Sequence, residues 1–320
     1  MQAEYKLSFI TVNYNGLEDT CALIDSIISL QIQSEVIVVD NGSKTNEAAI
    51  ISQRYPTPSG SLLPCVTAIR SEENLGFAGG NNLGIKSATG DFLFFINNDT
   101  VIDDVTKGLS KHDGEHFDKI ELLIRRMESD PNIGMICPKI RFFWEPQPIQ
   151  FAGYTPLTTI TMRNSAIGFN EMDNGQYNTA HPTPYAHGAA MLVSRKALQH
   201  AGMMPECYFL YYEELDWSVM FRRAGFTIWY DPALTIYHKE SKSTGQNSPL
   251  RTYYITRNRL LFARRNLSCW QRPLTYLYLI GLVMSRDIIK YIIQRRFDLM
   301  KAAFAGVRDF ICGRQGVREK

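Results

Sequence analysis

Four short stretches of this chain hold residues whose types and spacing could do chemistry. In FFINNDT, residues 94–100, three apolar residues run straight into Asn97, Asn98 and Asp99. A carboxylate at the end of a buried strand is costly unless it is solvated, paired or bound to a cation. Mg²⁺ commonly combines one or two carboxylates with substrate phosphates. One aspartate is too little for a metal cage built of protein alone, but enough to share a metal with a diphosphate. The two amides could then bind sugar or ribose hydroxyls without adding charge. A turn or helix cap after a strand uses the same residue types. In YYEELDWSVMFRR, residues 211–223, Glu213, Glu214 and Asp216 crowd three carboxylates into four positions ahead of Trp217. Adjacent carboxylates repel, which raises the pKa of one of them and suits it to act as a base. A charged helix N-terminus would look the same.

The third stretch, NLGFAGGNNLG at 74–84, holds four glycines and three asparagines. It lacks the G-K-[ST] of a P-loop and does not match G-x-G-x-x-G. Glycine lets a backbone approach a ligand closely and asparagine offers both donors and acceptors; an ordinary glycine-rich turn before a helix is the alternative. The fourth is His238 in IYHKESKSTG, where Lys239, Ser241, Lys242 and Ser243 follow. It could bind a metal or a phosphate, although a lone histidine at a strand end is often structural.

The elements that must position these residues are legible in the hydrophobic pattern. LSFITVNYN (7–15) reads as a strand, 16–30 as a helix, and EVIVVDNGS (35–43) as a buried parallel strand ending in a polar turn. A further strand falls within 67–76, a helix closed by Gly90 spans 81–90, and 91–100 is strand again. This alternation predicts a doubly wound α/β sheet, in which ligands sit beyond the carboxyl ends of the strands. The strand ends Asn13-Tyr14-Asn15, Asp40-Asn41 and Asn97-Asn98-Asp99 are all polar and would meet at one rim. Downstream, 105–116 reads as a polar loop, 117–129 as a helix, 133–140 as a strand and 144–182 as an irregular segment. Residues 186–198 read as strand into helix, and 209–226 as an extended start that becomes helix. Residues 226–240 read as one or two strands with a turn at Asp231-Pro232, and the chain is mainly helical beyond 250.

At 320 residues, with 45% hydrophobic and 21% charged content, the chain can bury a sizeable core. Its net charge of +2 hides an asymmetry: residues 251–320 hold 15 Lys or Arg against 4 Asp or Glu, so a tail of +11 follows a body of −9. Such a tail suits an anionic membrane surface or an acidic partner; no nucleic-acid module is visible, and no nucleic-acid partner is expected. Six scattered cysteines without a C-x-x-C pair argue against a disulfide framework or zinc site and for a reducing compartment. MQAEYK leads directly into the first strand without the look of a signal peptide. The longest nearly apolar run, 274–284, is too short to span a bilayer. A cytoplasmic protein, peripheral at the inner face of the membrane at most, is the expectation.

Taken in order, ITVNYNG, VIVVDNGS, NLGFAGGNN, FINNDT, DNGQYN, HGAAMLVSR, FLYYEELDWSVMFRRAG, IYHKESKSTG and YYITRNRLLF resemble the family 2 glycosyltransferases of GT-A fold. The likeness is nearest to the bacterial rhamnosyltransferase-like branch and covers roughly residues 5–265. It implies an α/β domain over 1–250, with a Rossmann-like, nucleotide-sugar-binding mixed sheet flanked by helices, and a basic helical region over 251–320. It also implies transfer of a sugar from a nucleoside diphosphate to an acceptor hydroxyl with inversion. By likeness, Val12, Asn13, Tyr14 and Asn15, with Asp40 and Asn41, hold the nucleotide base and ribose. Asn74 and the loop with Gly76, Phe77, Gly79, Gly80, Asn81 and Asn82 line the nucleotide-sugar, with Asn97 and Asn98 beside them. NND stands where the family has D-x-D, so Asp99 becomes the metal-binding acid for Mg²⁺ or Mn²⁺, and His238 matches a histidine near the metal and diphosphate. Glu214 falls where relatives have a catalytic Asp and is assigned as general base, with Glu213 and Asp216 as supporting or alternative acids. His187 and Trp217 are candidates for acceptor contact, with core packing as the alternative for each.

The GFAGGNN and DNGQYN text favours dTDP-L-rhamnose as donor, and a UDP-hexose is the alternative. The resemblance implies a saccharide or lipid-linked saccharide acceptor in the synthesis of a cell-surface polysaccharide. A catalytically silent relative that binds a nucleotide-sugar is kept open by the Asn97 and Glu214 departures. The tail residues Tyr276, Leu279, Leu282, Ile288, Ile292, Arg286, Lys290 and Arg295 suit a membrane-surface helix, a helix packed on the catalytic domain, or a homodimer contact.

Overall fold

A computed structural model describes residues 7–56, 64–102, 115–240 and 248–318. The expected loop over 105–114, and Ser241, Lys242 and Ser243, lie outside the described residues. The first half alternates as expected: β1 (Leu7–Asn13), α1 (Leu17–Ser29), β2 (Glu35–Asn41), α2 (Glu47–Arg54), β3 (Cys65–Ser71), α3 (Gly76–Ser87), β4 (Phe92–Ile96). Then follow β5 (Thr100–Ile102), α4 (Glu115–Ser129), β6 (Ile133–Phe142), β7 (Ile149–Phe151), β8 (His181–Pro182), β9 (Ala190–Ser194) and α5 (Arg195–Ala201). The chain continues through α6 (Glu213–Arg223), β10 (Thr227–His238) and α7 (Pro249–Asn266). It ends in α8 (Arg272–Tyr276), a π-helical stretch Leu277–Val283, α9 (Met284–Ile293) and α10 (Phe297–Ile311).

The strands form one mixed sheet in the order β3-β2-β1-β4-β9-β6-β10-β5, with β7 on β6 and β8 on β10. β1, β2, β3 and β4 are mutually parallel, which requires crossover helices, and α1, α2 and α3 supply them. β9 enters antiparallel between β4 and β6. All seven residues of β2 are buried, as befits a strand covered on both faces. The core gathers Phe9 and Phe94, stacked 5.5 Å apart, and Phe95, which meets Trp217 edge-on at 5.3 Å.

Three local expectations are corrected. The glycine-rich stretch is not a loop: α3 begins at Gly76 and ends at Ser87, before Gly90. Its glycines serve packing, since a Cβ at Gly80 would stand 2.8 Å from Val12 Cγ1 and one at Gly84 2.5 Å from Ile10 Cγ2. Gly90 instead donates its amide to Ser8 Oγ at 2.8 Å. The helix expected at 117–129 starts at Glu115, so it takes in the end of the expected 105–116 loop. Residues 209–212 are not extended either, because Phe209, Tyr211 and Tyr212 have φ of 69°, 69° and 80°. Each such non-glycine residue costs of order 1–3 kcal/mol and persists only where its surroundings enforce it.

α7 is what enforces it. Ser248 caps the helix by accepting from the Arg251 amide at 3.2 Å, with Pro249 at the first position. The buried Asn258 donates to the carbonyls of Tyr208, Leu210 and Tyr211 at 3.0, 2.7 and 3.0 Å. Its neighbour Arg257, also buried, donates to Tyr208 O at 2.7 Å. A helix beyond residue 250 thus fixes the segment that leads into Glu213 and Glu214.

Candidate active site

The turn Asn97–Asp99 carries β4 into β5, and β5 pairs antiparallel with β10 in a register that sets His238 opposite Thr100. The Lys239 amide donates to Asp99 O at 2.9 Å and locks that register. Asp99 and His238 are 6% and 7% exposed, and His238 Nε2 lies 3.2 Å from Asp99 Oδ1. His238 Nδ1 lies 2.8 Å from Gln150 Oε1. With that oxygen accepting, Nδ1 carries the proton and the Nε2 lone pair faces a carboxylate. Two Lewis bases so placed are satisfied by a shared proton or by a cation, and a polar partner behind a ligating histidine is the usual arrangement at metal sites. Among the described residues no group of three or more His, Cys, Asp or Glu could hold a metal. A cation at this pair would take two protein ligands and the rest from substrate oxygens and water.

The carboxylate cluster at the start of α6 divides. Glu214 is partly exposed, and a Cβ built at Gly188 would stand 3.8 Å from both its Cγ and the Phe77 ring. Burial pushes its pKa up to about 6. Glu213 is 3% exposed, and its Oε2 has no hydrogen-bond partner. Burial, and then the Glu214 charge, push it up to about 8. Both carboxyls are thus raised by burial, and two adjoining carboxyls so placed titrate as a pair.

Asp216 is no part of this cluster, which corrects the expectation of a third acid. It is fully buried and accepts from Arg265 Nε and Asn266 Nδ2, both at 2.6 Å, and from the Tyr208 hydroxyl at 3.1 Å. It ties α6 to the end of α7. Trp217 is corrected likewise: it is fully buried against Phe95 and donates Nε1 to Gly202 O at 2.9 Å, so it reaches no acceptor. Asp216→Ala is expected to cost about 3 kcal/mol, the low end for breaking a buried ion pair because Arg265 keeps some water contact. The shift in urea midpoint measures this; an unchanged midpoint would contradict it.

Much of the amide set expected to hold the nucleotide is turned inward, because buried polar groups must find partners. Asn13 donates to Glu47 at 2.6 Å and accepts from Thr20 and Gly16. Asp40 accepts from the Ser43, Glu47 and Ala48 amides and pairs with Arg70 at 2.7 Å. Asn41 bonds Asn74, the Leu75 amide and Gly76 O. Asn81 donates to Phe77 O, while Asn82 bonds Met204 and Glu206. Gly76, Gly79 and Gly80 are buried within α3. These amide and acid side chains bond within the rim. Tyr14 and Asn15 are exposed, and Val12, Asn74, Phe77, Asn97 and Asn98 partly so. Asn98 also donates to Thr20 Oγ1 at 3.0 Å.

His187 is partly exposed. Its ring lies parallel to Tyr154 at 6.0 Å and meets Phe151 at 5.1 Å. Burial, and then the His238 charge, push its pKa down to about 3, so it is neutral. Burial, and then the Glu214 charge, push the Tyr154 phenol well up. Tyr154, Gln150, Gly188, Arg70 and Asn258 were not singled out from sequence. Gln150 and Tyr154 lie in the stretch read as irregular, where no periodicity marks a residue. Asn258 had a signal, an amide beside Arg257 on a helix face that also carries Leu261.

The sequence profile described as Glycosyl transferase family 2 matches residues 8–202. The low-salt glycan biosynthesis hexosyltransferase Agl10 of Haloferax volcanii is 24% identical over 98% of this chain and 94% of its own length. The N-acetylglucosaminyl-diphospho-decaprenol L-rhamnosyltransferase of Mycobacterium tuberculosis is 25% identical over 78% of this chain and 82% of its own. Among solved structures, the mannosyltransferase PcManGT from Pyrobaculum calidifontis, in complex with GDP-Man and Mn²⁺, superposes with a TM-score of 0.54 at 13% identity, covering 97% of this chain and 88% of that one. The mixed sheet flanked by helices is the GT-A fold.

Proposed function

The chain belongs to Glycosyl transferase family 2, and from that premise we propose that it is an inverting, metal-assisted transferase acting on dTDP-L-rhamnose. The acceptor is a hydroxyl of a saccharide or lipid-linked saccharide. The observation that carries this is the Asp99–His238 pair, 3.2 Å apart where β4 turns into β5, with Glu214 partly exposed at the start of α6. The rhamnosyl donor is supported by the name of the mycobacterial relative; the hexosyltransferase name of the archaeal one keeps a UDP-hexose as the second reading.

In the transfer, Glu214 takes the proton of the acceptor hydroxyl. The oxygen bonds to the anomeric carbon from the face opposite the diphosphate, and the bond from that carbon to the diphosphate oxygen breaks. The sugar passes through a state of oxocarbenium character. Asp99 and His238 would hold a divalent cation, which supplies neutralisation of charge on the departing diphosphate. The imidazole favours Mn²⁺ over Mg²⁺, which prefers oxygen ligands. Asn97 and Asn98 bind donor hydroxyls, Tyr14 and Asn15 border the nucleotide, and Glu213 holds a proton beside the base. Proton NMR of the product tests the stereochemistry, with an anomeric configuration opposite to that of the donor expected. Retention would overturn the mechanism, and calorimetry with dTDP against UDP decides the donor.

Residues 251–320 extend the proposal to an anionic membrane surface. No helix among the described residues is long and apolar enough to cross a membrane. From α8 through α9, however, Leu277, Leu282, Ile289 and Ile293 are well exposed beside Arg286, Lys290 and Arg295. Such a face suits an interface where apolar side chains insert and basic ones meet headgroups. Wild type is expected to co-sediment with anionic vesicles at low salt. Leu277→Glu with Ile293→Glu should weaken this about tenfold or more, since each buried side chain contributes roughly 1.5–3 kcal/mol. Wild type left entirely in the supernatant would refute the contact.

A further inference from the structure

A cavity of about 230 Å³ lies among α7, the π-helical stretch, α9 and α10, lined by none of the residues discussed for the transfer. Its walls are mixed: Leu260, Leu279, Val283, Met284 and Val307 form an apolar side, and Thr252, Thr256 and Tyr291 also line it. Its border is cationic: Arg163, Arg251, Arg259 and Arg286 line it, and among the described lining residues the carboxylate is Asp287, which Arg286 engages at 2.6 Å. Among the described residues neither Arg163 nor Arg259 has a carboxylate partner. Guanidinium groups match phosphate oxygens in paired hydrogen bonds, and the apolar side suits the first carbons of a hydrocarbon chain.

We infer that this cavity binds a phosphorylated long-chain lipid, with the phosphate or diphosphate among the arginines and the first chain carbons against Leu279 and Val283. The volume falls below the range of about 300–1,000 Å³ usual for a site that swallows a whole ligand, so the rest of the chain lies outside. The outer side of the same helical stretch gives it a path, because Leu277 and Leu282 are 70% and 64% exposed. That continuity favours a lipid over free phosphate or pyrophosphate.

The cavity also touches the catalytic carboxylates' mounting. Arg259 Nε donates to the Tyr212 hydroxyl at 3.0 Å, and the Arg251 guanidinium lies 5.8 Å over the Tyr211 ring. Tyr211 and Tyr212 are the positive-φ residues immediately before Glu213 and Glu214. A phosphate drawing on Arg251 and Arg259 therefore acts on the segment that sets the base. This coupling rests on the glycosyltransferase assignment of Glu214; the binding itself does not.

The test is calorimetric titration of the full chain with farnesyl diphosphate in EDTA, compared with farnesol and inorganic pyrophosphate. Farnesyl diphosphate should bind about tenfold or more tightly than either comparator, since charge-assisted bonds and chain burial each contribute on that scale. Arg163→Glu and Arg251→Glu should each weaken it about tenfold, while Asp99→Ala leaves it unchanged. Arg163 sits on an exposed turn, so its replacement spares the fold. Equal affinity for pyrophosphate would show a free-anion site and overturn the lipid assignment. Loss of binding in Asp99→Ala would place the diphosphate at the catalytic pair, and indifference to both arginine variants would place it elsewhere. Either result overturns the site. Binding without any change in donor hydrolysis would overturn the coupling. A chain that turns over no donor yet binds farnesyl diphosphate would separate failure of the transferase proposal from failure of this one.

Discussion

Asp99→Ala is expected to lower release of nucleoside diphosphate from the donor by about a thousandfold, with the fold intact. A group that stabilises charge developing in the transition state is worth roughly 10²–10³ in kcat when removed, and among the described residues Asp99 is the carboxylate set beside His238. Asn97, where the family's first aspartate would stand, cannot substitute, because an amide carries no charge. Added Mn²⁺ should not restore the rate. His238→Ala should fall less, about 10- to 100-fold, and should raise the Mn²⁺ concentration needed for half activity. A full rate in Asp99→Ala would remove the cation from the mechanism.

Glu214→Gln should lower kcat by about 10²–10⁴, the usual contribution of a positioned base, with little change in donor KM. The wild-type kcat/KM should rise as pH climbs through about 6, where Glu214 ionises, and the variant should lose that limb. Glu213→Gln gives a different signature. A carboxyl raised on folding to about 8 from 4.5 binds its proton more tightly in the folded state. Stability is then fully present below the unfolded value and is lost as pH rises through the folded one. Replacing Glu213 with a neutral isostere should flatten that decline while sparing most of kcat. If Glu213→Gln abolishes the acid limb and Glu214→Gln keeps it, the two roles are reversed.

Particular residues show why part of this was legible in the sequence. VIVVDNGS reads as a buried strand because all seven residues Glu35–Asn41 are shielded, and covered parallel strands are continuously apolar. FFINNDT reads as a strand delivering Asp99 because apolar residues stop where the sheet edge begins. What could not be read was side-chain direction. Asp40, Asn41 and Asn82 look like ligand-binding amides and acids, yet they satisfy backbone groups of the rim, and only the fold decides which side an amide faces. Gly76, Gly80 and Gly84 recur at four-residue spacing, a helical period hidden by the habit of reading glycine as loop. Asp216 lies two positions from Glu214, and the 100° turn per helical residue carries it to the opposite face, where Arg265 waits. The positive φ of Tyr211 and Tyr212 depends on Asn258, nearly fifty residues later, and no local pattern announces it.

The most direct measurement is nucleoside diphosphate release from dTDP-L-rhamnose and a panel of UDP-hexoses, with Mn²⁺ and again after chelation by EDTA. Release from one donor, abolished by EDTA and restored by Mn²⁺, is expected, with dTDP-L-rhamnose the donor consumed. Release that EDTA leaves undiminished, or no release together with no binding of any nucleotide-sugar, would contradict a metal-assisted transfer at Asp99, His238 and Glu214.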